Sequence, residues 1–260
     1  MFNFVVDIGN SNIVFGMYQD DNLIHTWRCE TEKSKDHEYY FGNIHKHLKT
    51  IGFDLKNISK IAVSSVVPEL KIIFQKLAEI KFVCPFIIVD AYTDLGLSFQ
   101  VSDPGFIGSD IIVNSYSALQ KYKTNCLICD FGTATTFQLT GSNGLFFGSA
   151  ILSGVHTSAN SLFQNASQLA KIDLTSPANL LGLNTKESIL SGILNGNRFM
   201  MEGFIRAIKE KYQHLTEIKT IATGGIAGLI CKDSEEIDVI DNNLQLDGLN
   251  LICDKLEKNA

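Results

Sequence analysis

At 260 residues, 45% hydrophobic and 19% charged, the chain has a globular composition and enough length to build its core without covalent staples. A net charge of −6, with Arg28, Arg198 and Arg206 as its arginines, excludes nucleic acid or an anionic membrane as the expected main partner. Asp7 comes too early for a signal peptide and the longest weakly polar run, residues 144–155, is too short to span a bilayer, so a cytoplasmic location is expected.

In chain order, an apolar run enters Asp7-Ile8-Gly9-Asn10-Ser11-Asn12, and residues 13–19 and 23–28 follow as strands around a polar turn at Asp20-Asp21-Asn22. Residues 36–51 read as a helix and 58–66 as a strand entering a small-residue turn. Residues 68–80 form a helix with Pro68 in its first turn and Leu70, Ile73, Phe74, Leu77 and Ile80 at helical spacing. A strand is expected over 86–90. The chain turns at Asp103-Pro104-Gly105, and Ser109 reads as the N-cap of a helix over 110–122 that crosses between domains.

The opening pattern then repeats: Asp130-Phe131-Gly132-Thr133-Ala134-Thr135-Thr136, a strand to 140, a turn at 141–144 and a strand over 145–151. Residues 155–170 place Val155, Ala159, Leu162, Phe163, Ala166, Leu169 and Ala170 on one helical face. The longest helix starts at Asn184, with Glu187 completing a capping box, and runs to about Tyr212. Its apolar stripe includes Gly192, Gly196 and Gly203, each costing ~1 kcal/mol against Ala. Either a tight intradomain contact or a subunit interface is expected there. Residues 218–226 mirror 58–66, and a terminal strand follows at 237–241.

Self-similarity on this scale indicates two copies of one α/β domain, divided as 1–112 and 113–260, with a cleft between the facing turns. In an Asp-x-Gly turn the backbone N–H groups can ring an oxyanion while the Asp reaches a cation or its waters. Two such turns make a phosphate clamp. Neither a Walker A loop nor a Gly-x-Gly-x-x-Gly fingerprint is present, but Gly224-Gly225 offers backbone against which an adenine can lie. Cys126 and Cys129 point to opposite faces of a strand and no second pair completes a zinc site, so the six cysteines read as buried free thiols. No nucleophilic triad emerges.

The two turns with Gly224-Gly225 follow the pattern of sugar kinases, actin and heat-shock chaperones. Over essentially its whole length the chain resembles the type III pantothenate kinases. The matching segments are Asp7-Ile8-Gly9-Asn10-Ser11-Asn12, Ser64-Ser65-Val66-Val67-Pro68, Pro104 with Gly108-Ser109-Asp110, and residues 130–136. Gly148-Ser149-Ala150-Ile151, Asn184-Thr185-Lys186-Glu187-Ser188, residues 222–227 and Leu244-Gln245-Leu246-Asp247-Gly248-Leu249 complete the set.

The resemblance implies two duplicated ribonuclease-H-like (actin-like ATPase) domains in a homodimer. It implies transfer of the ATP γ-phosphate to pantothenate, giving 4′-phosphopantothenate in the first step of coenzyme A biosynthesis. By the same resemblance Asp110 is the base that accepts the hydroxyl proton. Asp7 holds Mg2+ through water, and ATP contacts Asp7, Ile8, Gly9, Asn10, Ser11, Asn12, Ile13 and Val14, with Thr133, Gly224 and Gly225. Asp130 ligates a monovalent cation, K+ or NH4+. Gly108, Ser109, Asp110, Ile111 and Thr185 bind pantothenate, and the first turn of the Thr185 helix is independently suited to an anion.

Three departures affect the acceptor half. Ile111 stands where the family has Arg, Val101 where it has Tyr, and residues 148–154 read Gly-Ser-Ala-Ile-Leu-Ser-Gly instead of Gly-Gly-x-Ile-x-Pro-Gly. A lost charge-assisted hydrogen bond is worth roughly 1.5–3 kcal/mol, or about ten- to a hundredfold in acceptor affinity. Lys186 and Arg198 are the candidates to compensate. Two competing readings are an accessory protein that kept the nucleotide clamp and a kinase for a different small hydroxy-acid.

Overall fold

The computed structural model describes residues 1–82, 84–101, 103–165 and 172–258. Its first sheet is built around β1 (Phe2–Ile8), whose Phe4, Val5, Val6 and Ile8 are buried on both faces, which fits a central strand and not an edge. β1 pairs antiparallel with β2 (Asn12–Gln19), which pairs antiparallel with β3 (Asn22–Glu30). On its other side β1 pairs parallel with β4 (Ile58–Ser65), and β4 pairs parallel with β5 (Phe86–Ile88). The order is β3-β2-β1-β4-β5.

Two helices cover this sheet. α1 (His37–Thr50) begins where the Asp36 carboxylate accepts from the Tyr39 N–H, and α2 (Pro68–Lys81) begins on a proline, whose missing N–H is no loss in a first turn. Tyr40, Ile44, Leu48, Leu70, Phe74 and Leu77 join Phe4, Val6, Phe15 and Ile61 in one core.

A short strand, β6 (Ser98–Phe99), and the helix α3 (Ser109–Tyr122) lead to a second sheet. There β7 (Asn125–Phe131), β8 (Ala134–Thr140) and β9 (Leu145–Ser153) form an antiparallel meander. After α4 (Val155–Asn165) and α5 (Thr185–Lys211), β10 (Ile218–Thr223) pairs parallel with β7. The short helix α6 (Ala227–Ile230) then leads to β11 (Val239–Ile240), parallel to β10. The order β11-β10-β7-β8-β9 repeats the first sheet strand for strand, with β6 added beside β9. The duplication read in the sequence is therefore a duplication of topology.

The chain forms two compact units. One comprises Met1–Leu97, Val101–Ser117 and the chain from Leu244 onward; the other comprises Ser98–Gln100 and Ala118–Asn243. This differs from a single division after residue 112 in two ways. The change of unit falls within α3, and the C-terminal helix α7 (Leu244–Lys258) rejoins the first unit. The reason is packing: α7 lies on β1 and β4, Asn3 Nδ2 donates to Asn250 Oδ1 at 2.9 Å, and the Tyr18 hydroxyl donates to Asp247. Gly248 lets this helix approach α3, since a Cβ there would meet Val113 and Ser117 at 2.8 Å.

The Asn184 side chain accepts from the Glu187 N–H as the capping box predicts, while Glu187 reaches back one residue further than expected, to the Leu183 N–H. A Cβ at Gly192, Gly196 or Gly203 would meet no atom within 4 Å among the described residues, so the tight intradomain contact expected on that stripe is not made. In α4, Val155 and Ala159 are buried; Ala166, Leu169 and Ala170, expected on the same face, lie outside the described residues. Among the described residues no helix is long and apolar enough to cross a membrane.

Candidate functional site

In the first unit the site grows from the ends of two parallel strands. Asp7 is in register with Ser64, and Ile8 with Ser65. The Gly9 N–H donates to the Asn12 carbonyl at 3.0 Å and closes the Asp-x-Gly turn, leaving Asn10, Ser11 and Asn12 exposed at its tip. Thr31 tethers this turn from behind: its hydroxyl donates to the Gly9 carbonyl at 2.7 Å and its N–H to the Ser11 carbonyl at 3.1 Å. Ile13 is buried in the core and Val14 is half-buried, so these two fix the turn from the β2 side.

Around Asp7 the polar side chains are joined. Gln245 Nε2, from the first turn of α7, donates to Asp7 Oδ1 at 3.2 Å and lies 3.2 Å from Ser64 Oγ. Ser64 Oγ is 3.0 Å from Ser109 Oγ, which also accepts from the Ser65 N–H at 2.8 Å. Ser109 is thus the first residue of α3 rather than its cap, and its hydroxyl ties the helix start to the end of β4.

Asp110 follows directly. Its Oδ1 accepts from the Ile111 N–H at 2.8 Å. Burial pushes the Asp110 carboxyl above the usual carboxylate range, only partly opposed by hydrogen bonds from the Ile111 and Asp110 backbone. Gly108 makes room for it, since a Cβ there would stand 2.4 Å from Asp110 Oδ1. Ile111 itself is buried, at 5% exposure, so the position carries no charge toward an acceptor.

In the second unit the same strand-end arrangement recurs. Asp130 is in register with Thr223 on β10 and Thr136 on β8. The turn is one residue shorter than the first, closed by the Gly132 N–H donating to the Ala134 carbonyl at 3.0 Å. Thr133 is exposed, and its carbonyl accepts from the Gly154 N–H and from the Thr157 hydroxyl. Gly224 has φ +96°, and a Cβ there would come within 2.6 Å of Asp130 Oδ1 and of the Phe131 carbonyl oxygen. Gly225 beside it faces open space. The Asp130 carboxylate oxygen and the Phe131 carbonyl oxygen, both close to Gly224, are hard oxygen donors.

Thr185 opens α5 and stands at a cavity of about 540 Å³ lined by Leu162, Thr185, Ser188, Ile189, Gly192 and Ile193. Apolar walls with two hydroxyls suit a ligand with an aliphatic body and a few polar groups. Of the two candidates to replace the missing arginine, Arg198 is engaged with Asp233 and lies over the Phe199 ring, while Lys186 is exposed.

The cysteines are not part of any site. All six are unpaired, and burial pushes the Cys126 and Cys231 thiols up to about 12, which keeps them protonated and inert at neutral pH. Among the described residues no group of three or more His, Cys, Asp or Glu is placed to hold a metal. Thr31, Ser65 and Gln245 were given no role from the sequence. Ser65 and Gln245 lie in the segments 64–68 and 244–249 that carry the family resemblance; nothing local marks Thr31.

Residues 3–207 match the sequence profile of the family described as type III pantothenate kinase. A type III pantothenate kinase of Geotalea daltonii is 37% identical over 248 residues, 95% of this chain and 96% of that protein. Among solved structures, the activator of the 2-hydroxyisocaproyl-CoA dehydratase from Clostridium difficile with bound ADPNP superposes with a TM-score of 0.59, covering 100% of this chain and 98% of that one at 9% identity. A ROK family glucokinase from Streptomyces griseus in complex with glucose and AMPPNP gives 0.56 over 98% and 99% at 11% identity. At such identities these two speak to the fold alone, a two-domain actin-like ATPase plan.

Proposed function

Since this chain belongs to the type III pantothenate kinase family, we propose a division of labour among its residues for transfer of the ATP γ-phosphate to pantothenate, the first step of coenzyme A biosynthesis. Such transfer is mostly positioning and charge neutralisation. The observation that carries the assignment is Asp110: a desolvated carboxylate with a raised pKa, given room by Gly108 and anchored through Ser109 to the end of β4. It accepts the proton of the pantothenate primary hydroxyl as that oxygen attacks phosphorus. A base poised closer to neutrality than an ordinary aspartate is better matched to this proton transfer.

As the family resemblance implies, ATP binding is assigned to Asp7–Val14 and to Thr133, Gly224 and Gly225. The Asp7 carboxylate, with one oxygen held by an amide, fits a water-mediated hold on Mg2+, which when bound offsets phosphate charge. Asp130 is the residue assigned to K+ or NH4+, with the Phe131 carbonyl oxygen beside Gly224 as a second hard donor. Gly108, Ser109, Asp110 and Ile111 contact pantothenate together with Thr185, whose cavity takes the aliphatic body of the acceptor. The working form is a cytoplasmic homodimer joined along the open glycine stripe of α5.

The test is ATP consumption and phosphopantothenate formation with and without K+. Turnover that needs pantothenate and rises with K+ is expected. ATP binding with no transfer at high pantothenate and K+ would overturn the reading.

A further inference from the structure

Gln245 touches the ends of both β1 and β4, at Asp7 and Ser64, and it arrives from the C-terminal helix α7. A carboxylate can only accept, so the Asp7 contact fixes which way the Gln245 amide points: Nε2 faces Asp7 and Ser64, and Oε1 faces away. Oε1 is buried and has no hydrogen-bond partner among the described residues. From Ser64, which is fully buried, the connection passes to Ser109 Oγ, which also accepts from the Ser65 N–H and belongs to the residue just before Asp110. Four elements, β1, α7, β4 and α3, thus meet in a single chain of hydrogen bonds with Asp7 at one end and the helix start carrying Asp110 at the other.

We propose that Gln245 is a positioning residue for the transfer reaction: its amide holds the Asp7 carboxylate and, through Ser64 and Ser109, sets the distance between that carboxylate and Asp110. The proposal rests on the kinase reading given above. Gln245 touches no reacting atom; it removes the freedom of Asp7 to rotate away from the nucleotide and couples that restraint to the base.

Gln245→Leu keeps the volume and removes both hydrogen bonds; Ser109→Ala cuts the connection at its other end. These two, the double variant and the wild type are compared by kcat, by KM for each substrate and by the Mg2+ concentration needed to bind a fluorescent non-hydrolysable ATP analogue. Gln245→Leu should lower kcat about ten- to a hundredfold, the scale of a misplaced catalytic group. KM for pantothenate should stay within about twofold and the Mg2+ requirement for nucleotide binding should rise. Because both residues act through Ser64, the double variant should lose less than the product of the two single losses.

Wild-type kcat and Mg2+ requirement in Gln245→Leu would overturn the proposal, and so would losses that simply multiply. Should Gln245→Leu not fold, Gln245→Glu, which sets a second carboxylate against Asp7, should lose kcat as steeply; full activity in that variant would count against us. If the wild type transfers no phosphate, the kinase reading falls on its own. The Mg2+ dependence of nucleotide binding then still decides the role of Gln245, with an unchanged requirement in Gln245→Leu overturning it.

Discussion

Gly224 is packed against Asp130 so closely that a single added methyl would lie 2.6 Å from the carboxylate oxygen. The same Cβ would lie 2.6 Å from the Phe131 carbonyl oxygen, and neither backbone nor a strand-end carboxylate can move far. At φ +96° a side chain is strained besides.

Gly224→Ala is therefore expected to destabilise the second unit by about 1–3 kcal/mol from backbone strain alone. Activation by K+ should disappear with it, because the methyl would displace the Asp130 carboxylate and the Phe131 carbonyl proposed to hold the cation. Thermal unfolding and a K+ titration of activity check both parts, and a variant with wild-type K+ activation would show that the cation binds elsewhere.

Asp110→Asn should lower kcat by roughly 10²–10⁴-fold, the range of a general base, with ATP affinity little changed. The same change should stabilise the fold at neutral pH. The folded-state pKa of Asp110 is raised by burial, so the protonated form favours the folded state, and that advantage is lost as pH rises through the folded value. The ionised carboxylate bears a desolvation cost that Asn lacks. Urea unfolding at pH 7 and at pH 4 would show the gain at the higher pH shrinking at the lower.

The same shift sets the acid side of the rate profile. Activity should fall on acidification at a pH above the ordinary aspartate value of about 3.9, because the base must be ionised to act. A kcat/KM profile flat down to the ordinary aspartate range would assign the base to another group.

Ile111→Arg tests the altered acceptor half. The position is 5% exposed, so a guanidinium must either be buried unpaired or push its way out. Overpacking alone should cost about 1–3 kcal/mol of stability. The wild type should show a high KM for pantothenate with ordinary ATP binding. The variant should melt lower than the wild type, and a KM that falls without any loss in melting temperature would mean the side chain reaches the acceptor freely.

Much of the site was legible because its chemistry is local. An Asp-x-Gly turn between two strands is written in consecutive residues, and its recurrence at Asp130 announced the duplicated sheet order. Capping at Asn184 and the proline start of α2 were legible for the same reason. What the residues did not reveal depends on partners distant in sequence. Ser109 has the chemistry of a cap, but the ends of β4 and α3 bring it to Ser64 and Ser65 instead. Gln245 meets Asp7 across 238 positions of chain, and no periodicity encodes that. The glycines of α5 pointed to a close neighbour either within the chain or from a second subunit, and spacing alone could not say that none comes from among the described residues.

The return of α7 to the first unit has a consequence for synthesis. The strand β1 receives its packing helix and the amide that holds Asp7 only from residues made after the whole second unit, through Asn3–Asn250, Tyr18–Asp247 and Gln245–Asp7. While the ribosome is still extending the chain, the second unit can complete its own sheet, but the first remains open on the face that α7 will cover. Premature termination anywhere before Leu244 would leave a nascent product with its phosphate turn unsupported. The first unit is thus completed only after α7 has been made, although its own first strand is made before any part of the second unit.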